Sequence, residues 1–283
     1  PNNPLPGWNS PEQAWAQTQA QLAWYRAMEK DGALVQLKSA SALKQHFASW
    51  QQEKKLPLGY VLSLEGADSI VSIEHLELMY KEGLRAIGAA HYGPGTYAHG
   101  TDSEGGIGQK GKDLVRKVEE LGLILDLTHL CDISFWETLD CYDGPLWASH
   151  SNCRTLVPNH RQFSDEQIKA IVARKGIIGM AFDAWMIIPD WKRGITTPKG
   201  SGLKIETIIA HIDHICQLTG SSENLMIGSD LDGGFGKEQC PHDLETIADL
   251  QKLDDLLSQK GYSSSDIDNI LYKNALHFLE THL

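Results

Sequence analysis

Residues 123–130 read L-I-L-D-L-T-H-L, and residues 145–152 read P-L-W-A-S-H-S-N. Each is an apolar run closing on a histidine, and the two histidines, His129 and His150, lie 21 residues apart with an amphipathic connector between them. A buried strand ending in a metal-competent side chain, repeated after one helix length, is how a parallel α/β fold builds a site at its strand ends. Outward from this pair the same beat recurs. Strands are expected over 59–65, 84–91, 123–130, 146–150, 176–182 and 225–230, with helices over 69–82, 110–121, 133–141, 165–175, 205–218, 242–259 and 265–282. Upstream, Ser10 is placed to cap a helix over 11–30 with Pro11 in its first turn. A short strand (33–38) and a polar amphipathic helix (41–55) follow.

Such alternation means a parallel sheet with right-handed crossovers. The expected architecture is one α/β domain over residues 1–283, a (β/α)8 barrel of the TIM type; an open doubly wound sheet is the alternative. Six barrel-type strands are counted, two short of eight. The chain opens on Pro1 with the loop-like P-N-N-P-L-P-G, so the N-terminal portion of the barrel is expected to be truncated from this chain.

A length of 283 residues fits one barrel, and 41% hydrophobic residues furnish its core. The net charge of −12 and the lack of a basic stripe argue against nucleic acid as a partner. No apolar run approaches the ~18 residues of a membrane span, and nothing resembles a signal peptide. Five cysteines with no C-x-x-C pair point to reduced thiols in a cytoplasmic setting, and away from a disulfide framework or a cysteine zinc site.

The strand ends carry Glu65, His91, His129, His150 and Asp230. One polar group after an apolar run is ordinarily a hydrogen-bonded core residue. Five oxygen or nitrogen donors on five strands, which a barrel gathers at one rim, point instead to a metal centre. Histidine with carboxylate and no cysteine suits Zn²⁺, Mn²⁺ or Fe²⁺ in hydrolysis.

The segments L-S-L-E-G-A-D (62–68), the strand ending in His91, D-L-T-H (126–129), S-H-S-N (149–152), N-H-R-Q-F-S-D (159–165) and I-G-S-D-L-D-G (227–233) together resemble the renal, or membrane, dipeptidase family of binuclear zinc metallopeptidases. The resemblance runs from about residue 61 to Y-K-N-A-L-H-F-L (272–279). It implies hydrolysis of dipeptides by a metal-activated hydroxide, with a D-residue tolerated on the C-terminal side, and a homodimer. It implies Glu65 as the carboxylate bridging two metals, with His129 and His150 completing the second metal's shell. His91 would stabilise the tetrahedral intermediate, Arg161 would hold the substrate's terminal carboxylate, and Asp230 would shuttle the proton to the leaving amine. An amidohydrolase acting on N-acyl amino acids or lactams, and an inactive metal- or ligand-binding barrel, are the alternatives.

The sequence departs from the family in one place. The family's first metal also needs a His-x-Asp pair, and none precedes Glu65; the earlier histidine, His46, sits in a polar helix. Loss of the first strand is the expected reason. A relative with the second metal site alone is the rival.

Other motifs are set aside. G-I-G-Q-K-G-K-D (106–113) nearly spells a phosphate loop, but Asp113 would repel phosphate, and a helix entry is expected. His211 and His214, at i and i+3, are expected on a solvated face beside Asp213. Asp232 is read as orienting its loop or touching the site. Trp185, Trp191 and Tyr92 are open between pocket lining and loop anchoring.

Overall fold

The computed structural model describes residues 8–53 and 55–283; the loop expected over residues 1–7 lies outside them. The chain divides into two units, Pro1–Pro145 with Leu279–Leu283, and Leu146–Phe278.

In the first unit, α1 (Pro11–Lys30) starts as expected: Ser10 is extended and its hydroxyl accepts the Gln13 N–H, with Pro11 in the first turn. Next come β1 (Leu34–Gln36), α2 (Ala40–Gln52, capped by Ser39), β2 (Leu58–Tyr60) and β3 (Leu62–Leu64). The strand expected over 59–65 is therefore two strands. β2 pairs with β1 in a small parallel sheet of their own, whereas β3 pairs with β4 (Leu84–Gly88) across α3 (Ile73–Glu82). Apolar runs do not reveal such a change of partner. α4 (Gly108–Glu120) begins inside the glycine-rich segment as a plain helix entry, and leads to β5 (Ile124–Asp126), parallel to β4, and α5 (Asp132–Leu139). Leu76 and Met79 of α3 and Leu114, Val115 and Val118 of α4 are buried, as are Ile87, Ile124 and Leu125 on the strands.

The second unit repeats the scheme. β6 (Leu146–Ala148), α6 (Asp165–Ala173) and β7 (Ile177–Met180) are followed by a long loop holding two short helices, α7 (Ala184–Ile187) and α8 (Pro198–Ser201). α9 (Ile209–Thr219) and β8 (Leu225–Ile227) complete it, before helical segments over Lys252–Gln259, Ser264–Asp268 and Asn274–His282. α6 starts at a capping box in which Ser164 and Gln167 satisfy each other's backbone N–H. β6 and β7 are buried at every position, which is why they read as unbroken apolar runs.

Within each unit the strands lie in chain order, β3-β4-β5 and β6-β7-β8, with no reversal. Steady parallel progression of this kind is what each part of a barrel requires. The paired segments are shorter than expected. Glu65, His91, His129, His150 and Asp230 all lie one to three residues beyond the last strand residue, on backbone free to aim side chains.

Candidate metal centre

The first unit brings three of the expected residues together. His129 Nε2 lies 3.2 Å from Glu65 Oε1, and His91 Nε2 lies 3.9 Å from the same oxygen. The two imidazole rings are 4.3 Å apart at their centroids. His129 is 6% exposed, while the Glu65 and His91 side chains are half-exposed, so the carboxylate faces solvent beside a buried imidazole. The Tyr92 ring packs edge-on against His91 and tilted against His129. His129 has φ 71°, a left-handed backbone that non-glycine residues seldom adopt and that clusters at functional sites.

His150, Asp230 and Arg161 meet in the second unit. His150 Nε2 is 3.9 Å from Asp230 Oδ1, too long for a hydrogen bond. Its Nδ1 lies 2.8 Å from the Ser149 hydroxyl. Asp230, like His129, is left-handed (φ 57°), in a turn closed by the Gly233 N–H donating to its carbonyl. Two glycines make room beneath His150: a Cβ on Gly179 or on Gly228 would fall 1.9 or 1.8 Å from the Ser149 carbonyl oxygen. Arg161 is 3% exposed; it donates to the Ser151 hydroxyl and to the His150 carbonyl. The guanidinium thus braces the segment that carries His150, a task the sequence did not reveal.

Several residues that fix this geometry went unread. Asn152, 1% exposed, donates to the Ala181 and Met186 carbonyls and accepts the Ala181 N–H. It locks the strand end after His150 to the chain beyond β7. Gln162 works beside it, accepting the Asn152 N–H and donating to Met186. Asp183 holds the start of the long loop: its Oδ2 accepts from Trp185, Arg193 and Gln239, while Oδ1 is buried with no partner. Burial pushes the Asp183 carboxyl up, opposed by those same donors. Trp185 is therefore an anchor of its loop, with Arg193 stacked over its ring. Asp232 is exposed within the turn at Asp230.

The solvated face expected for His211 and His214 is incorrect. His211 is 1% exposed, accepts the Cys153 N–H at Nδ1 and meets the Ile187 carbonyl at Nε2. His214 turns elsewhere, 2.8 Å from Asp165, whose carboxyl it holds below the usual range. The two do not chelate.

Within the first unit, Glu65 and His129 bring a carboxylate oxygen and an imidazole nitrogen together, donors of the kind that hold a metal ion. A sequence profile described as membrane dipeptidase (peptidase family M19) matches residues 6–282. The chain belongs to the membrane dipeptidase family. Membership makes it a metal-dependent dipeptidase by class. A Klebsiella pneumoniae protein named only by its position in the pqqA 5′ region is 30% identical over 232 residues, 79% of this chain and 82% of that one. A dipeptidase of Claviceps purpurea, tcpJ, is 25% identical over 78% of this chain, which spans 51% of that relative's length. A metallo peptidase from Rhodobacter sphaeroides, solved with a phosphinate mimic of the dipeptide L-Ala-D-Ala, is 24% identical with a TM-score of 0.85, covering 99% of this chain and 78% of that one. This likeness shows the fold class, a TIM-type α/β barrel. No helix among the described residues is long and apolar enough to cross a membrane.

Proposed function

We propose that this dipeptidase cleaves dipeptides bearing a free C-terminal carboxylate, including those with a D-residue on that side, at a zinc centre held by Glu65, His129 and His150. One observation carries the reading: both histidines turn Nδ1 onto a hydroxyl, of Thr101 and of Ser149, and direct Nε2 towards a carboxylate. Metal-bound histidines are held in this way, with one nitrogen on an outer partner and the other presented as ligand. Two nitrogens and a carboxylate, without sulfur, suit Zn²⁺ at a hydrolytic site.

When bound, a divalent cation supplies Lewis acidity that polarises the carbonyl and makes water nucleophilic near neutral pH. The chain's own residues do the rest. His91, beside Glu65, donates to the carbonyl oxygen as charge develops there. Asp230 takes a proton from the attacking water and delivers it to the leaving amine. Arg161 supplies the positive charge that holds the substrate's terminal carboxylate. A second ion fits the family pattern once a His-x-Asp pair joins Glu65. The same reading takes residues 1–283 as one hydrolase domain, working as a homodimer in the cytoplasm, where five unpaired thiols stay reduced.

The test is a panel of L,L- and L,D-dipeptides, their C-terminal amides, N-acyl amino acids and lactams. Turnover confined to dipeptides with a free carboxylate is expected. Equal turnover of the amides would overturn the role of Arg161, and cleavage of N-acyl amino acids or lactams alone would assign the chain to a different amide hydrolysis.

A further inference from the structure

We propose that Thr101 is the positioning residue that makes His129 a metal ligand, an inference resting on the metal-site reading above. Thr101 is 3% exposed, inside the long loop after β4. Its backbone closes that loop onto the strand end: the Thr101 N–H donates to the His91 carbonyl at 3.0 Å, and the Gly93 N–H donates to the Thr101 carbonyl at 2.7 Å. The neighbouring residue must be small, since a Cβ on Gly100 would fall 1.9 Å from the His91 carbonyl oxygen. The loop is therefore fixed relative to His91 before its side chain is considered.

The Thr101 hydroxyl then reaches across to His129. It lies 3.0 Å from Nδ1 and 3.3 Å from the carbonyl oxygen of the same residue. A hydroxyl has one proton to give. Given to the His129 carbonyl, it steadies a residue whose backbone is left-handed. The hydroxyl oxygen then accepts from Nδ1–H. That assignment leaves a lone pair on Nε2, the atom 3.2 Å from Glu65 Oε1. Two electron-rich atoms brought together are stabilised by a cation shared between them. One side chain thus sets the tautomer, the ring orientation and the backbone of one ligand, and its own main chain sets His91.

Zinc affinity, measured by competition with a chromophoric chelator, is compared for the wild type, Thr101→Val, Thr101→Ser and His129→Ala. His129→Ala should lose this site, Thr101→Val should bind zinc ~10–100-fold more weakly, and Thr101→Ser, which keeps the hydroxyl, should bind like the wild type. If Thr101→Val binds as tightly as the wild type while His129→Ala does not, the role of Thr101 falls and the metal site stands. If His129→Ala itself binds zinc normally, the metal-site reading falls. Histidine ¹⁵N shifts of the zinc-loaded wild type give an independent check that needs no foldable variant: a protonated Nδ1 with Nε2 on the metal is expected for His129, and metal on Nδ1 would overturn the inference.

Discussion

Replacing the buried His211 should change how the protein's stability depends on pH. Nδ1 accepts the Cys153 N–H at 3.1 Å and Nε2 lies 3.0 Å from the Ile187 carbonyl, so the ring sits neutral with its proton on Nε2. Protonating Nδ1 would set one N–H against another. Burial pulls the pKa down to about 4, with the Ile187 hydrogen bond opposing and His214 adding slightly; in the unfolded chain it is ~6.5. The unfolded state therefore binds the proton first on acidification. The contribution is fully present above ~6.5 and is lost as pH falls towards 4. At ~1.4 kcal/mol per pH unit the whole window amounts to ~3 kcal/mol, of which ~2 kcal/mol is lost between pH 7 and pH 5. His211→Gln offers an acceptor and a donor without a titrating ring. Guanidinium unfolding of both proteins at pH 7 and pH 5 should show the wild type losing ~2 kcal/mol more than the variant. Parallel losses would refute the buried neutral imidazole.

Three further substitutions separate chemistry from architecture. Asp230→Asn keeps a residue that tolerates the left-handed backbone, and should lower kcat by ~10²–10⁴ with zinc content unchanged by elemental analysis. Asn152→Leu strips its partner from the Ala181 N–H and carbonyl and leaves the Met186 carbonyl only its Gln162 bond, and should cost ~2 kcal/mol or more in denaturant unfolding, at ~1–3 kcal/mol for each orphaned group. Arg161→Lys keeps the charge but loses the planar fork; steady-state kinetics should show a raised KM for dipeptides and a smaller preference for the free acid over the amide.

Strand placement was legible because β4 to β8 are apolar runs closed by polar or glycine-rich turns, and because the motif residues follow within three residues of a strand end. The split at residue 61 was not, since β2 and β3 differ in partner and not in hydrophobicity. His211 carried a signal that the i,i+3 reading passed over: Ile208, Ile212 and Ile215 place it on the apolar face of its helix, where it is buried. Asn152 lay in plain view within S-H-S-N, yet its three bonds reach residues 29 and 34 positions away. Thr101 offered no local cue. Its role comes from a loop folding back to a histidine 28 residues downstream, and only tertiary structure reports that.

In the proposed reading, Glu65, His129 and His150 hold a metal the dipeptidase needs. Zinc per chain, measured by elemental analysis on protein purified without chelator and set beside Glu65→Ala and His150→Ala, tests it most directly. About one zinc is expected for these 283 residues, lost in both variants together with dipeptide hydrolysis. Undiminished zinc in either variant would contradict the assigned ligands, and a folded wild type that hydrolyses dipeptides without any metal would contradict the account as a whole.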